Sequence, residues 1–366
     1  MIKKIFLAVI TLTFIVGCSS SSSSDDSPSV SPDNFDRGAL LTNLADNIII
    51  PAYRDLSEKL TTLTADKDAF IADVNQTNLD NLRASWLEAY KVWQHVEMFN
   101  IGKAEELTYS FQMNIYPVST TDVEANISAG NADLTHVNNN DAVGFPAVDY
   151  MLYGVADSDA AILTKYEDDK YKAYLSDLVN QMESLTETVL TDWTSSYRAT
   201  FVSSTSNTVT SSLNKFVNDY IFYFEKSLRA NKFGIPGGVF STDPLPEKVE
   251  AFYNQEVSKT LALEALAAFQ NTLNGTYYSA SATGESFKTY LTELERTDLS
   301  TLLNTRIDAA RAKVNLLDDN FYSQVNSDNV KMTEAYDALQ LVVVSLKVDM
   351  LQAFNVSVDY VDADGD

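Results

Sequence analysis

Residues 77–100 read TNLDNLRASWLEAYKVWQHVEMFN and carry the clearest helical pattern of the chain. Apolar side chains recur there every three or four residues, a spacing that places them on one face of an α-helix. This apolar seam consists of Leu79, Leu82, Trp86, Ala89, Trp93 and Val96. Thr77 with Asp80 resembles a capping box. The stretch therefore predicts a helix that begins near Thr77 and buries its two tryptophans in a helical bundle.

The distribution of glycine and proline extends this prediction to the whole chain. Neither residue occurs in 52–101, 155–233, 247–274 or 285–364, whereas strand-rich chains need turns every 8–12 residues or so. Near the end, a second seam is formed by Ala335, Leu339, Val342, Leu346 and Met350. Pro51 should kink or restart a helix. We predict an all-α protein of two helical bundles, roughly residues 37–205 and 206–358.

The first residues predict export and lipid attachment. Lys3 and Lys4 precede an apolar run over residues 5–16, which is too short to span a bilayer. The run ends in Ile-Val-Gly-Cys at 15–18, which resembles a bacterial lipobox. We expect a signal peptide over 1–17, a lipid anchor on Cys18 and a Ser/Asp-rich tether over 18–36. Residues 25–26, Asp-Asp, resemble the surface-export signal of some Bacteroidetes lipoproteins, with an ordinary spacer as the alternative.

Composition excludes several functions. The formal charge is −25, with 26 Lys and Arg against 51 Asp and Glu, so a nucleic-acid partner is not expected. Cys18 is the single cysteine, and His95 and His136 are the only histidines. A Cys/His zinc site and an HExxH helix are therefore excluded. A Ser-His-Asp triad is not excluded by count, although the chain has no G-x-S-x-G elbow.

Two segments rich in turn-forming residues interrupt the helical pattern. Residues 102–154 contain several glycines and prolines, and 234–246 read GIPGGVFSTDPLP. Long loops inside a compact protein are usually functional. We therefore expect the functional site where these segments meet the bundles.

Four segments, in order, resemble the imelysin-like proteins of the bacterial envelope. They are WLEAYKVWQHVEMFNIG at 86–102, GFPAVDYMLYG at 144–154, EKSLRANKFGIPGGVFSTDPLPEKVEAFYNQ at 225–255 and LKVDMLQAFNVSVDYVDADGD at 346–366. The second is similar to the family's G-x-H-x-x-E segment, and the third to its Lys-x-Gly-x-Pro and Glu-x-x-Tyr segments. The resemblance implies two helical bundles related by duplication, a site in the cleft between them and a link to iron uptake. It also implies a contested peptidase label.

One departure from the family pattern affects function. Pro146 stands at the motif histidine and Asp149 at the motif glutamate. Proline offers no side-chain ligand, so a metal or catalytic role of that histidine does not carry over. We expect Glu97, Asp149, Lys232 and Glu250 to converge in the cleft as a binding site. The alternative is a buried salt-bridge network that only fixes the interface.

Three classes of function remain open at this stage. The first is a binding protein for a metal ion or metal complex in iron uptake, where carboxylates favour iron(III), manganese or calcium over zinc. The second is a non-catalytic partner of an outer-membrane receptor, for example a TonB-dependent one. The third is a metal-dependent peptidase. The protein would face the periplasm or the cell exterior from the outer membrane.

Three further features have plain interpretations. His95 lies opposite the seam and is expected to face solvent, and His136, in a polar loop, is a weak metal candidate. The end of the chain, residues 359–366, is an acidic tail that resembles a calcium loop. It lacks a closing glutamate, so a solvated tail is favoured.

Overall fold

The computed structural model of the chain describes residues 33–358, of which residues 35–358 belong to one compact unit. The expected signal peptide, Cys18, most of the tether and the acidic tail lie outside the described residues. No helix within 33–358 combines the length and the hydrophobicity needed to cross a bilayer.

The described part of the chain is all-α, as the sequence predicts, and 33–358 contains an isolated bridge between Thr276 and Thr283 but no strand. The α-helices are α1 (Arg37–Asn43), α2 (Ile50–Ala72), α3 (Gln76–Val96), α4 (Lys103–Glu106), α5 (Tyr109–Met113), α6 (Thr120–Ala129), α7 (Gly144–Asp149), α8 (Asp159–Lys165), α9 (Asp169–Asp192), α10 (Arg198–Ser203), α11 (Ser212–Phe222), α12 (Ser258–Asn274), α13 (Phe287–Glu293), α14 (Thr297–Asn315), α15 (Phe321–Ser327), α16 (Asn329–Val344) and α17 (Leu351–Phe354). Short 3₁₀ turns cover Val137–Ala142 and Pro246–Lys248.

Several long helices pass through π-helical segments, which lie at Leu44–Ile49, Tyr150–Gly154, Trp193–Tyr197, Tyr223–Gly234 and Ser345–Met350. Such segments are rare and often occur at functional sites. The first one ends just before Pro51, so the helix restarts there as expected. The longest, Tyr223–Gly234, carries Lys232.

Helix α3 confirms the seam and corrects its start. All six seam residues are buried, at 1% exposure or less. The expected cap at Thr77 is wrong: Asn75 precedes the helix in an extended conformation, and its side chain accepts a hydrogen bond from the Asn78 amide. Asparagine is at least as good a cap as threonine, and Asn75 satisfies an amide that would otherwise lack a partner.

Two groups of helices share one continuous core. Helix α2 packs against α3 and α9, while α14 packs against α12 and α16, and α16 also packs along Tyr223–Gly234. Helix α3 contacts α12 and so connects the two groups. The boundary near residue 205 stays a prediction, because the core runs through both groups.

Two glycines position the helical segment that carries Asp149. Gly144, with φ +73°, begins α7, and a Cβ there would lie 2.2 Å from the Met113 carbonyl oxygen. A Cβ on Gly154 would lie 2.3 Å from the Tyr253 ring. Only glycine permits such close approach, so both ends of the 144–154 segment are fixed against neighbouring chain.

Candidate functional site

Lys232 and Glu250 form an almost completely buried ion pair, with 1% and 2% of their side chains exposed. Lys232 lies near the end of the π-helical segment Tyr223–Gly234, and Glu250 follows the 3₁₀ turn Pro246–Lys248. The Lys232 Nζ donates to Glu250 Oε2 and, over 2.8 Å, to Gln94 Oε1. A buried pair of this kind requires further hydrogen bonds to compensate for lost hydration.

Polar side chains from α3 and from the segment after α5 supply those hydrogen bonds. Gln94 Nε2 and Asn114 Nδ2 donate to Glu250 Oε1 over 3.2 and 3.0 Å. The Tyr90 hydroxyl lies 2.6 Å from Asn114 Oδ1 and 3.2 Å from Glu250 Oε1. Sequence reasoning missed these three residues. The available signal was the spacing of Tyr90, Gln94 and Glu97, which places them on one side of α3.

Glu97 closes α3 at the edge of this cluster. Its Oε2 is shielded from solvent and has no hydrogen-bond partner among the described residues. Burial raises the pKa of Glu97 to about 7; the charge of Lys232 opposes that rise, Glu250 adds to it, and a hydrogen bond from Asn114 opposes it. The carboxyl group therefore changes protonation near neutral pH, and one of its buried oxygens makes no hydrogen bond in this conformation.

Asp149, at 1% exposure, is held differently from the other predicted residues. Its two oxygens accept hydrogen bonds from the backbone amides of Tyr253 and Asn254, over 2.8 and 3.0 Å. Burial raises the pKa of Asp149 to about 7, against the effect of these two amides. The structure thus brings Glu97, Lys232 and Glu250 together. Asp149 is held instead by the amides of Tyr253 and Asn254 and anchors the loop after Glu250.

A cavity of about 180 Å³ adjoins Asp149. It is lined by Tyr116, Pro117, Val118, Thr120, Pro146, Asp149, Glu247, Val249, Ala251, Phe252 and Tyr253. Tyr116 also lines a second cavity of about 120 Å³. Burial raises the pKa of Tyr116, and Glu250 and Glu97 raise it further. Tyr116 therefore lines the cavity and is also close enough to Glu250 and Glu97 for their charges to affect its hydroxyl group.

Within residues 33–358, no group of three or more His, Cys, Asp or Glu side chains is arranged to hold a metal ion. In the conformation described, the ammonium group of Lys232 pairs with Glu250 and partly offsets the charge of Glu97. Pro146 lines the cavity as an apolar group. A metal ion would therefore need Lys232 to move away from Glu250.

The two histidines lie outside this site. His95 is not solvent-facing as expected: its Nε2 lies 3.0 Å from Glu264 Oε2, its side chain is 20% exposed, and its ring packs edge-on against Tyr278. Helix α12 covers the face of α3 that the bundle pattern had left to solvent. His136 is exposed, and its Nδ1 accepts a hydrogen bond from the Asn138 amide.

Comparison with known protein families shows to which family the chain belongs. The family model described as Peptidase_M75: Imelysin matches residues 49–346. Because that match spans most of the chain, the protein belongs to the imelysin family.

Two solved structures share the fold. An imelysin-like protein from Psychrobacter arcticum 273-4 is 18% identical, with a TM-score of 0.70, over 88% of this chain and 97% of that one. A putative iron-regulated protein A precursor from Parabacteroides distasonis ATCC 8503 is 17% identical, with a TM-score of 0.71, over 89% and 97%. At these identities the likeness establishes the fold alone. No curated protein matches the chain.

Proposed function

We propose that this chain is a binding protein of the cell envelope that acts in iron acquisition and holds a metal ion or metal complex in its cleft. The observation that carries the proposal is the buried cluster of Lys232, Glu250 and Glu97, next to a cavity. Within this cluster, two carboxylates face one cation. Above about pH 7, where Glu97 is ionised, the cluster carries one excess negative charge that suits a further cation.

The energetic cost of the cluster supports a functional role. Replacing a buried ion pair with apolar side chains of similar volume is often neutral or stabilising. The cluster joins α3, the segment after α5, Tyr223–Gly234 and the loop at Glu250, and it leaves Glu97 Oε2 without a partner. A group that only had to fix this junction would not need the additional carboxylate.

Ligand chemistry gives the expected class of metal. Carboxylate and amide oxygens suit iron(III), manganese or calcium better than zinc. A bound cation would take the place of the Lys232 ammonium beside Glu250, with Glu97 as a second carboxylate. Because carboxylates must be ionised to bind metal, affinity should fall at acid pH.

The family and the N-terminal sequence support the envelope and iron parts of the proposal. One solved relative is titled an iron-regulated protein A precursor, and residues 15–18 form a lipobox-like sequence before Cys18. A lipid on Cys18 would attach the protein to the outer membrane, where a TonB-dependent receptor is the expected type of partner. Radiolabelled palmitate should enter the wild type; equal labelling of Cys18→Ser would contradict the anchor.

The binding proposal is tested by metal analysis and titration. We expect iron to bind the wild-type protein and to bind Glu97→Gln at least about tenfold more weakly, because one negative ligand is lost. The matched control is Glu187→Gln, which removes an exposed carboxylate of α9. Equal iron binding by all three proteins, or no binding by the wild type, would refute the site. The peptidase alternative gains no support, since Pro146 replaces the motif histidine.

A further inference from the structure

The cavity beside Asp149 has an unusual lining. Its lining residues include two carboxylates, Asp149 and Glu247, and no Lys, Arg or His. Three aromatic side chains, Tyr116, Phe252 and Tyr253, contribute to the walls, with Phe252 and Tyr253 packed edge to face at 5.0 Å. The remaining walls are mostly aliphatic side chains and proline rings. The cavity is therefore apolar around its sides and negatively charged at defined points.

The two carboxylates differ in exposure. Asp149 is 1% exposed and is fixed by the amides of Tyr253 and Asn254, whereas Glu247 is exposed. The cavity thus has an anchored carboxylate in its buried part and a second one toward solvent. A volume of about 180 Å³ accommodates several water molecules or a small organic group.

We propose that this cavity binds a small organic cation, with an ammonium group at Asp149 and an apolar stem against Tyr116, Phe252 and Tyr253. The inference goes beyond the proposed function and does not depend on it. It concerns the open cavity rather than the Lys232 cluster. An ammonium can be held by one carboxylate and aromatic faces through charge and cation–π attraction.

Other ligand classes fit this lining less well. A bare metal ion needs several oxygen ligands, and the lining supplies only two carboxylates, Asp149 and Glu247. An anion would be repelled by both carboxylates. A neutral apolar molecule would contact the walls but would displace water from Asp149 without supplying an opposite charge.

The test uses three ligands of one size in calorimetric titrations of the purified protein. These are pentylammonium, 1-pentanol and pentanoate, each with an unbranched five-carbon chain. We expect pentylammonium to bind roughly tenfold more tightly than 1-pentanol, and pentanoate not to bind. Proton release on pentylammonium binding near pH 7, seen with buffers of different ionisation enthalpy, would support Asp149 as the contact. Equal affinity for pentylammonium and 1-pentanol, or no binding of pentylammonium, would overturn the proposal.

A variant that keeps the fold strengthens the test. Asp149→Asn replaces one accepting oxygen with an NH₂ group, which cannot accept the backbone hydrogen bond made there. This variant could therefore fail to fold for a reason unrelated to ligand binding. Glu247→Gln changes only an exposed carboxylate of the lining. This variant should bind pentylammonium several-fold more weakly than the wild type, and its affinity for 1-pentanol should be unchanged. Glu187→Gln, remote from the cavity, should change neither. If Glu247→Gln and Glu187→Gln both bind pentylammonium like the wild type, the cavity is not the binding site.

Iron titration of the same samples separates this inference from the proposed function. If the protein binds pentylammonium but does not bind iron, the inference is supported and the metal-binding proposal is refuted. Binding of iron without pentylammonium would refute the inference alone.

Discussion

The segment Tyr223–Gly234 buries two cations, Arg229 and Lys232, in two different surroundings. Arg229 donates to Tyr336 and Gln340 on α16 and lies 3.6 Å from Glu225, which also accepts from Lys347 over 3.1 Å. Lys232 reaches Gln94 on α3 and Glu250 in the following loop. Arg229 thus ties the segment to α16, and Lys232 ties it to α3 and to the loop at Glu250.

The charge balance of the two clusters is opposite. Around Arg229, two cations approach the carboxylate of Glu225. Around Lys232, one ammonium group pairs with Glu250 and acts on Glu97 through its charge alone. A cluster with sufficient cations is already neutralised and serves packing. Each cluster leaves one buried carboxylate oxygen without a hydrogen-bond partner, Glu225 Oε2 in the first and Glu97 Oε2 in the second, so the difference lies in the number of cations. A cluster with an excess carboxyl group is suited to accept a cation from outside, which is why we assign function to the second.

Removing Lys232 should have the largest effect on stability. Lys232→Met leaves Glu250 buried without its cation, which should lower the free energy of unfolding by about 3–5 kcal/mol. Urea denaturation at pH 7 measures the change. Lys232→Met with Glu250→Gln should regain part of the loss, because no uncompensated charge remains. A single substitution that costs less than about 1 kcal/mol would contradict the burial of this pair.

The excess carboxylate should make stability depend on pH. The pKa of Glu97 is about 7 in the folded protein and near 4.3 when unfolded, so the folded state holds the proton more strongly. This contribution to stability is complete below about pH 4 and is lost as the pH rises to about 7. Glu97→Gln has no carboxyl group to ionise and so does not lose this stability. At pH 8 its free energy of unfolding should be about 1–3 kcal/mol higher than that of the wild type.

Denaturation curves of the wild type and Glu97→Gln between pH 5 and pH 8 test this prediction. The difference between the two proteins should grow with pH and level off above pH 7. A constant difference across this range would show that Glu97 is not the group with the raised pKa.

Removing Arg229 should lower the free energy of unfolding less than removing Lys232 does. Arg229→Met breaks hydrogen bonds to Tyr336 and Gln340, but Lys347 still pairs with Glu225. We expect a loss of about 1–3 kcal/mol in urea denaturation, and no change in iron binding. Weaker iron binding by this variant would remove the functional distinction between the two clusters.

An exposed pair gives the smallest effect and serves as a reference. Arg198 contacts Asp46 through two hydrogen bonds of 2.8 and 2.6 Å, but their side chains are 40% and 36% exposed. Arg198→Gln should lower the free energy of unfolding by less than about 1 kcal/mol, because water already compensates both charges. A loss as large as that of Lys232→Met would show that burial does not explain the ranking.

Much of the fold could be predicted because helical patterns are local. The seam of α3 and the late seam from Ala335 to Met350 are buried as expected. The start of α3 was misplaced by the competition between neighbouring polar residues, of which Asn75 rather than Thr77 forms the cap. His95 was misjudged because one helix's pattern does not reveal that α12 packs on its other face.

The candidate site was only partly accessible from the sequence. Glu97, Lys232 and Glu250 were found through the family resemblance, and the structure brings them together. Tyr90, Gln94 and Asn114 were missed, because a polar residue on a helix is usually exposed and nothing local indicates that another segment covers it. Asp149 was expected among the cleft carboxylates, and its bonds to the amides of Tyr253 and Asn254 depend on a loop about a hundred residues later.

The sequence by itself determined the helices, the acidic balance and the lipobox-like start, since these depend on neighbouring residues and on composition. Only the tertiary structure decided that Lys232 pairs with Glu250, that Glu97 keeps an unpartnered oxygen and that a cavity opens beside Asp149. The physical reason is that hydration is lost only where distant segments pack together. A charged side chain therefore acquires its partner, its pKa and its access to a ligand from that packing.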